Sequence, residues 1–376
     1  MATSLTPEFI TRASRAAAVA VLTAACGSST PASPQGPSAD VPAITPPASP
    51  PADADAGEPP AVDAGADRET CTPRDTDTPP RASSFPAKLA GQDAWIHDPA
   101  FSAGYFHTFD ALRVGGAGSE AHKVHVFLPR SYVTGSCARY PVVYFHDGDT
   151  TFFRGGGANK TWDVAGVLAT AYAARTVPEV IVVAVQPNER DREYTHTSWL
   201  PGRACCGVRD YTSWLAGALK PFVDGAYRTK ADAGSTVIVG SSHGGLAAYW
   251  AAATRPDVFG RAIAMSSSFW AGLDRGGPGG PLASSSLMTS TEATLRAGKP
   301  RLYIDWGLVR TGGEHNAIIE AAATARGVEM RDLLTSSYGY TLGTDLFAVE
   351  DPAGEHEEVS WGRRLGRALE LVLTPR

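Results

Sequence analysis

Cysteine and methionine are scarce in this chain of 376 residues: five of the first and four of the second. No two cysteines stand at the paired spacing of a zinc site, so no structural or catalytic metal is expected. Positive charge is also in deficit. Lys and Arg number 33 against 39 Asp and Glu, a formal net charge of −6. With no basic patch, nucleic acid is excluded as a partner. The deficit is local, because residues 27–85 carry nine acids and three arginines while residues 86–376 are close to neutral. Charge therefore says little about a substrate. Internal repeats are absent, and beyond the N-terminus no hydrophobic run is long enough to span a bilayer. What the chain does have is 43% apolar residues and eight tryptophans, enough for a large buried core.

The N-terminus reads as an address. Arg12 and Arg15 precede an apolar run over 16–25 that ends at Cys26. This is the layout of a secretory signal, too short to span a bilayer as a mature helix. The stretch Leu22-Thr23-Ala24-Ala25-Cys26 resembles a bacterial lipobox, with Thr23 where leucine is usual. The expectation is a signal over 1–26 and an exported protein. It would be a cell-envelope lipoprotein anchored through Cys26, or a secreted one. Residues 27–85 are rich in Pro, Ala, Ser and Asp and nearly free of large apolar side chains. Such a segment cannot bury enough surface to offset its ordering entropy, so a disordered linker is expected there, with the folded domain over 86–376. Cys71, Cys137, Cys205 and Cys206 remain in the mature chain. In an exported protein they suggest disulfides, with three pairings open. Neighbours Cys205 and Cys206 are expected to take separate partners.

The folded part alternates strand and helix. Strands are expected over 104–109, 122–128, 140–145, 180–185, 237–239, 261–266, 302–305 and 346–349. Helices are expected over 161–174, 211–227, 246–253, 316–325 and 360–373, and a loop over 272–290. This order predicts a largely parallel sheet covered on both faces, led by two antiparallel strands. The expected fold class is α/β, with the α/β-hydrolase layout and its site at the carboxyl ends of the strands.

The chemistry centres on 235–250, STVIVGSSHGGLAAYW. A β-branched run leads into Gly240-Ser241-Ser242-His243-Gly244 and then a helical run. This is the G-x-S-x-G nucleophile elbow in its proper strand–turn–helix setting. Small neighbours let strand and helix approach, so that Ser242 sits on a sharp turn. The helix N-terminus aims free N–H groups at a developing oxyanion. A serine needs a general base, which in this fold follows the last strand. His356, in GEHEEVSW (354–361), stands there; His315 is the weaker rival. The backbone N–H of His243 is one expected oxyanion donor and that of Asp149, after the 140–145 strand, is the other. The Asp149 side chain is expected to point away from the site. The orienting acid should lie on the loop after 302–305. Glu314 is the choice, Asp305 the next, and a Ser–His pair without an acid a third reading.

The segments PVVYFHDGD (141–149), ERDREYT (189–195), VIVGSSHGG (237–245), RLYIDWG (301–307) and GEHEEVSW (354–361) together resemble one esterase branch of the α/β hydrolases. That branch includes enterochelin esterases, feruloyl esterase modules, S-formylglutathione hydrolases and the mycolyltransferases called antigen 85. The resemblance covers about residues 104–373. It implies Ser242 as nucleophile, His356 as base, and the backbone of Asp149 and His243 as oxyanion donors. Arg310 stands where the family commonly has an acid. The segment 192–195 resembles one near the substrate mouth. The expected function is a cofactor-free serine esterase acting on a small-molecule or glycan-linked ester through an acyl-enzyme. The alternatives are acyl transfer by the same machinery and a binding protein on a degenerate hydrolase scaffold. Phe152, Phe153, Trp199 and Trp270 are candidate pocket aromatics.

Overall fold

The computed structural model describes residues 72–374 apart from 117, 134–136, 157–158, 275–276 and 278. The expected signal over 1–26, including Cys26, together with Cys71 and most of the expected linker, lies outside the described residues. Ten strands form one sheet in the order β1-β2-β3-β4-β6-β5-β7-β8-β9-β10. They are β1 (Phe85–Leu89), β2 (Gln92–His97), β3 (Gly104–Leu112), β4 (His122–Pro129), β5 (Val142–Phe145), β6 (Ile181–Val185), β7 (Thr236–Ser241), β8 (Arg261–Met265), β9 (Arg301–Gly307) and β10 (Leu346–Asp351). Strands β1 to β4 run antiparallel, and β4 also meets β6 antiparallel. From β6 to β10 every pairing is parallel. The leading antiparallel part is thus a four-strand meander, larger than the two strands expected. The β1–β2 hairpin escaped because it is half-exposed and carries little apolar pattern.

The helices are α1 (Gly148–Thr151), α2 (Val164–Ala173), α3 (Arg190–Tyr194), α4 (Val208–Trp214), α5 (Lys220–Ala226), α6 (His243–Thr254), α7 (Ser286–Ala297), α8 (Ala321–Ser337) and α9 (Glu358–Leu373). A π-helical turn, Leu215–Leu219, joins α4 to α5, and another, His315–Glu320, leads into α8. Helix α7 begins inside the segment expected to be a loop and runs seven residues past its end; its Leu287, Met288 and Leu295 are buried, spaced for one helical face.

The apolar strand runs are buried on both faces, as parallel strands require. In β5, Val142 and Tyr144 enter one core and Val143 and Phe145 the other. The first core also takes Val223, Leu246, Leu287 and Met330 from α5, α6, α7 and α8. The second takes Leu168 from α2 and Leu365 and Leu369 from α9.

Order begins upstream of residue 86, which corrects the end of the expected linker. Thr76 is fully buried, with its hydroxyl donating to the Ala226 carbonyl at 2.5 Å. Asp77 pairs with Arg228 at 2.6 Å. A few side chains with partners on the body fix this polar segment, which composition alone does not reveal. The cysteine expectation is corrected as well. Cys205 and Cys206 are bonded to each other, and Cys137 is also disulfide-bonded. Cys206 takes a left-handed φ of +78°. Its N–H bonds to the Thr195 carbonyl at 3.0 Å, while Gly207 N–H bonds to that of Arg192 at 2.8 Å. These contacts shape the turn in which adjacent sulfurs meet.

Candidate active site

Strand β7 ends at Ser241 and α6 begins at His243, so Ser242 is the hinge between them, with φ 55° and ψ −121°. A side chain rarely adopts such a backbone, and the cost is of order 1–3 kcal/mol. The neighbours permit it only because they are glycines. A Cβ on Gly240 would collide with the Gly244 carbonyl, and one on Gly245 with Ser267 Oγ. Ser242 N–H donates to the Met265 carbonyl, and Ser268 N–H to that of Ser242, both at 3.0 Å. The turn is thereby tied to β8 and the loop after it. The Ser242 hydroxyl shares a 3.3 Å hydrogen bond with Ser268 Oγ, which lies 2.8 Å from His243 Nδ1.

His356 follows β10 and is buried. Two backbones pressed together bring its loop in. A Cβ on Gly307 would meet the Gly354 carbonyl, and Val309 N–H donates to that carbonyl at 3.1 Å. His356 N–H donates to Asn316 Oδ1 at 2.8 Å. The ring edge faces Trp361 at 5.1 Å. His356 Nδ1 stands 2.5 Å from Glu320 Oε2. A carboxylate accepts, so Nδ1 carries the hydrogen and Nε2 is left as the basic nitrogen.

Glu320 is the residue that the sequence reading missed. It is fully buried, at the end of the π-helical turn. Its other oxygen accepts from Ser266 Oγ at 2.9 Å and from the backbone N–H of Gly307. Burial pushes its carboxyl up, but the hydrogen bond and charge of His356, with the other donors, outweigh burial and hold it below its usual value. The expected acid, Glu314, is instead exposed at the N-cap of that turn. Asp305 is engaged by Arg364, at 2.8 and 3.1 Å. Burial raises its pKa even so. The signal for Glu320 was an acid inside the apolar run Ile318-Ile319-Glu320-Ala321-Ala322, a placement that asks for a buried partner. Arg310, in the family's acid position, holds the connection together by donating to the Gly307 carbonyl at 3.0 Å and to Thr324 Oγ1 at 2.8 Å.

Ser242, His243, His356 and Asp149 line one cavity of about 920 Å³, with Trp199, Trp270 and the exposed rival His315. Phe152 lies in the core and Phe153 lines an adjoining groove. Asp149 lines the cavity, and burial followed by the charge of Asp147 raises its pKa. Gly148 lets this segment reach the end of β6, since a Cβ there would stand 2.8 Å from Gln186 N. The 189–195 segment braces the rim. Arg190 clamps Asp147 at 2.7 and 2.8 Å, Tyr194 OH accepts from Asp147 N–H at 2.9 Å, and Arg203 donates to Asp191 at 2.6 Å.

A mostly parallel sheet bearing a serine at the strand-to-helix turn, with a buried histidine after the last strand, defines the α/β-hydrolase class. The family described as "Putative esterase" matches residues 118–371, well over half of the chain. The chain belongs to that family. It is similar to the uncharacterized protein YbbA of Bacillus subtilis, 26% identical over 152 residues, which are 39% of this chain and 56% of that one. The match thus spans little more than half of that relative. Among solved structures, an IroE-like serine hydrolase from Shewanella oneidensis superposes with a TM-score of 0.51 at 20% identity, covering 70% of this chain and 78% of the other. A ferulic acid esterase superposes with a TM-score of 0.51 at 19% identity, over 73% and 99%. These likenesses show the fold.

Proposed function

We propose that the protein is a serine esterase working through an acyl-enzyme. Ser242 Oγ attacks the ester carbonyl and His356 Nε2 takes its proton. Glu320 holds the ring in the tautomer that leaves Nε2 basic and stabilises the imidazolium once formed. The N–H groups of His243 and Asp149 receive the oxyanion. His356 returns the proton to the leaving alcohol, and a water activated the same way releases the acid. Turning the Ser242 hydroxyl from Ser268 toward His356 is the motion this requires; such contacts often tighten only with substrate bound.

The observation that carries this reading is that His356, paired with the buried Glu320, lines the same cavity as the strained Ser242. A degenerate binding scaffold has no use for a desolvated carboxylate behind a basic imidazole. The test is hydrolysis of a small chromogenic ester by the protein and its Ser242→Ala variant. The variant is expected to lose at least about 10³-fold in kcat. Retention of activity would refute the reading. The leader-like 12–26 segment and the two disulfide-bonded sites support export, with Cys26 as a lipid anchor. A Cys26→Ser chain that stays in the membrane fraction would refute the anchor.

A further inference from the structure

The catalytic cavity adjoins a second groove of about 530 Å³, and Asp149 and Gln186 line both. Its floor is one face of the antiparallel meander. In a strand, alternate residues share a face. Register puts Trp95 of β2 opposite Thr108 of β3, and Thr108 opposite His125 of β4. His97, two residues along from Trp95, joins the same face. These positions are polar or aromatic where a core-facing row would be aliphatic.

The floor is organised. His97 Nε2 and His125 Nδ1 both bond to Thr108 Oγ1, at 2.9 and 2.8 Å. Phe153 meets the His125 ring edge-on at 5.5 Å. Trp95 is 45% exposed, an unusual exposure for a large ring on a sheet face. At the rim Lys123 and Asp110 pair at 3.1 Å. Burial, then Lys123, lowers both imidazole pKa values, that of His125 to about 4. At neutral pH each ring is uncharged, and its nitrogen not bonded to Thr108 is left to donate or to accept.

We propose that this groove is a binding subsite for a neutral, hydroxyl-bearing ring of the ester substrate, a sugar unit on the alcohol side. The inference rests on the esterase reading and names its substrate class. A sugar presents a C–H face that packs on an indole and hydroxyls that exchange hydrogen bonds with an uncharged imidazole. The charges of the lining balance, Asp110 and Asp149 against Lys123 and Arg154, which favours a neutral group, and the ring nitrogens that Thr108 does not hold would lack partners under a purely apolar one. The groove opens beside Asp149, so a ring seated there lies next to the reacting carbonyl.

The test compares three esters: p-nitrophenyl acetate, an O-acetylated methyl glycoside and a hydroxycinnamoyl methyl ester. Trp95→Ala is expected to raise KM for the acetylated glycoside about tenfold and to leave kcat/KM for p-nitrophenyl acetate within about twofold. His97→Phe is expected to act in the same direction. Equal effects on both substrates, no effect on either, or an effect confined to the hydroxycinnamoyl ester would overturn the proposal; the last would make the groove an acyl pocket. Direct binding separates this proposal from the esterase reading. Saturation-transfer NMR of a methyl glycoside with the Ser242→Ala protein should show contact that Trp95→Ala removes, whether or not any ester is cleaved. Contact that survives Trp95→Ala, or no contact at all, would also overturn the subsite.

Discussion

Glu320 Oε2 and His356 Nδ1 stand 2.5 Å apart, both side chains out of water, although one belongs to a helical turn and the other to the loop after β10. The contact exists because the two loops are stitched together by Asn316 and by the Gly307–Gly354 backbone approach.

Glu320→Gln should keep the shape of the site and lose most of its chemistry. The amide can present its NH₂ to Nδ1 and so favour the wrong tautomer. A fall in kcat of about 10²–10⁴-fold with KM little changed is expected. Glu314→Gln, altering an exposed side chain, should stay within about twofold of the parent. Steady-state kinetics of the two variants decide between the acids.

In the proposed mechanism Ser268 holds the Ser242 hydroxyl at rest without taking part in bond making. Ser268→Ala removes the partner of both Ser242 Oγ and the buried His243 Nδ1. Leaving that nitrogen unsatisfied should cost about 1–3 kcal/mol of stability, read from urea unfolding. Catalysis should stay within about tenfold, because His356 is untouched. A loss as large as that of Ser242→Ala would instead place Ser268 in the reaction.

Acid should destabilise the fold sooner than carboxylates alone would require. Burial lowers the pKa of His107 from 6.5 to about 3, and those of His125, His146 and His196 to about 4. The unfolded chain therefore binds protons that the folded chain refuses. This contribution is whole above about pH 6.5 and is lost as pH falls toward 4, by up to about 1.4 kcal/mol per pH unit for each ring. Urea midpoints measured from pH 7.5 to 5 should decline steadily; a flat profile would show that the rings are solvated.

Gly240→Ala should fail at the level of folding. The added methyl meets the Gly244 carbonyl, which α6 cannot move without shifting Ser242. A loss of about 3 kcal/mol or more is expected from overpacking beside a strained turn. The thermal midpoint of the variant, or its recovery in soluble form, reads this out.

The parts legible in the sequence were those written in contiguous pattern. Apolar runs marked the parallel strands, and Gly240-Ser241-Ser242-His243-Gly244 marked the turn between β7 and α6. His356 could be found by its order relative to the last strand. Glu320 could not be found by order, because a π-helical turn carries the acid past the loop where Glu314 stands. The β1–β2 hairpin and the 75–77 turn lacked apolar periodicity and are fixed by pairing, as in Thr76 with Ala226. Adjacent Cys205 and Cys206 were misjudged because the turn that joins them depends on Arg192 and Thr195.

Arg364 of α9 reaches Asp305 of β9, Ser266 after β8, Asp351 at the end of β10 and Ser360 at the base of the histidine loop. One guanidinium thus gathers three strand ends and the segment that carries the imidazole. Removing this one side chain would therefore unfasten β8, β9, β10 and the loop that carries His356 together, although Arg364 itself does not line the cavity.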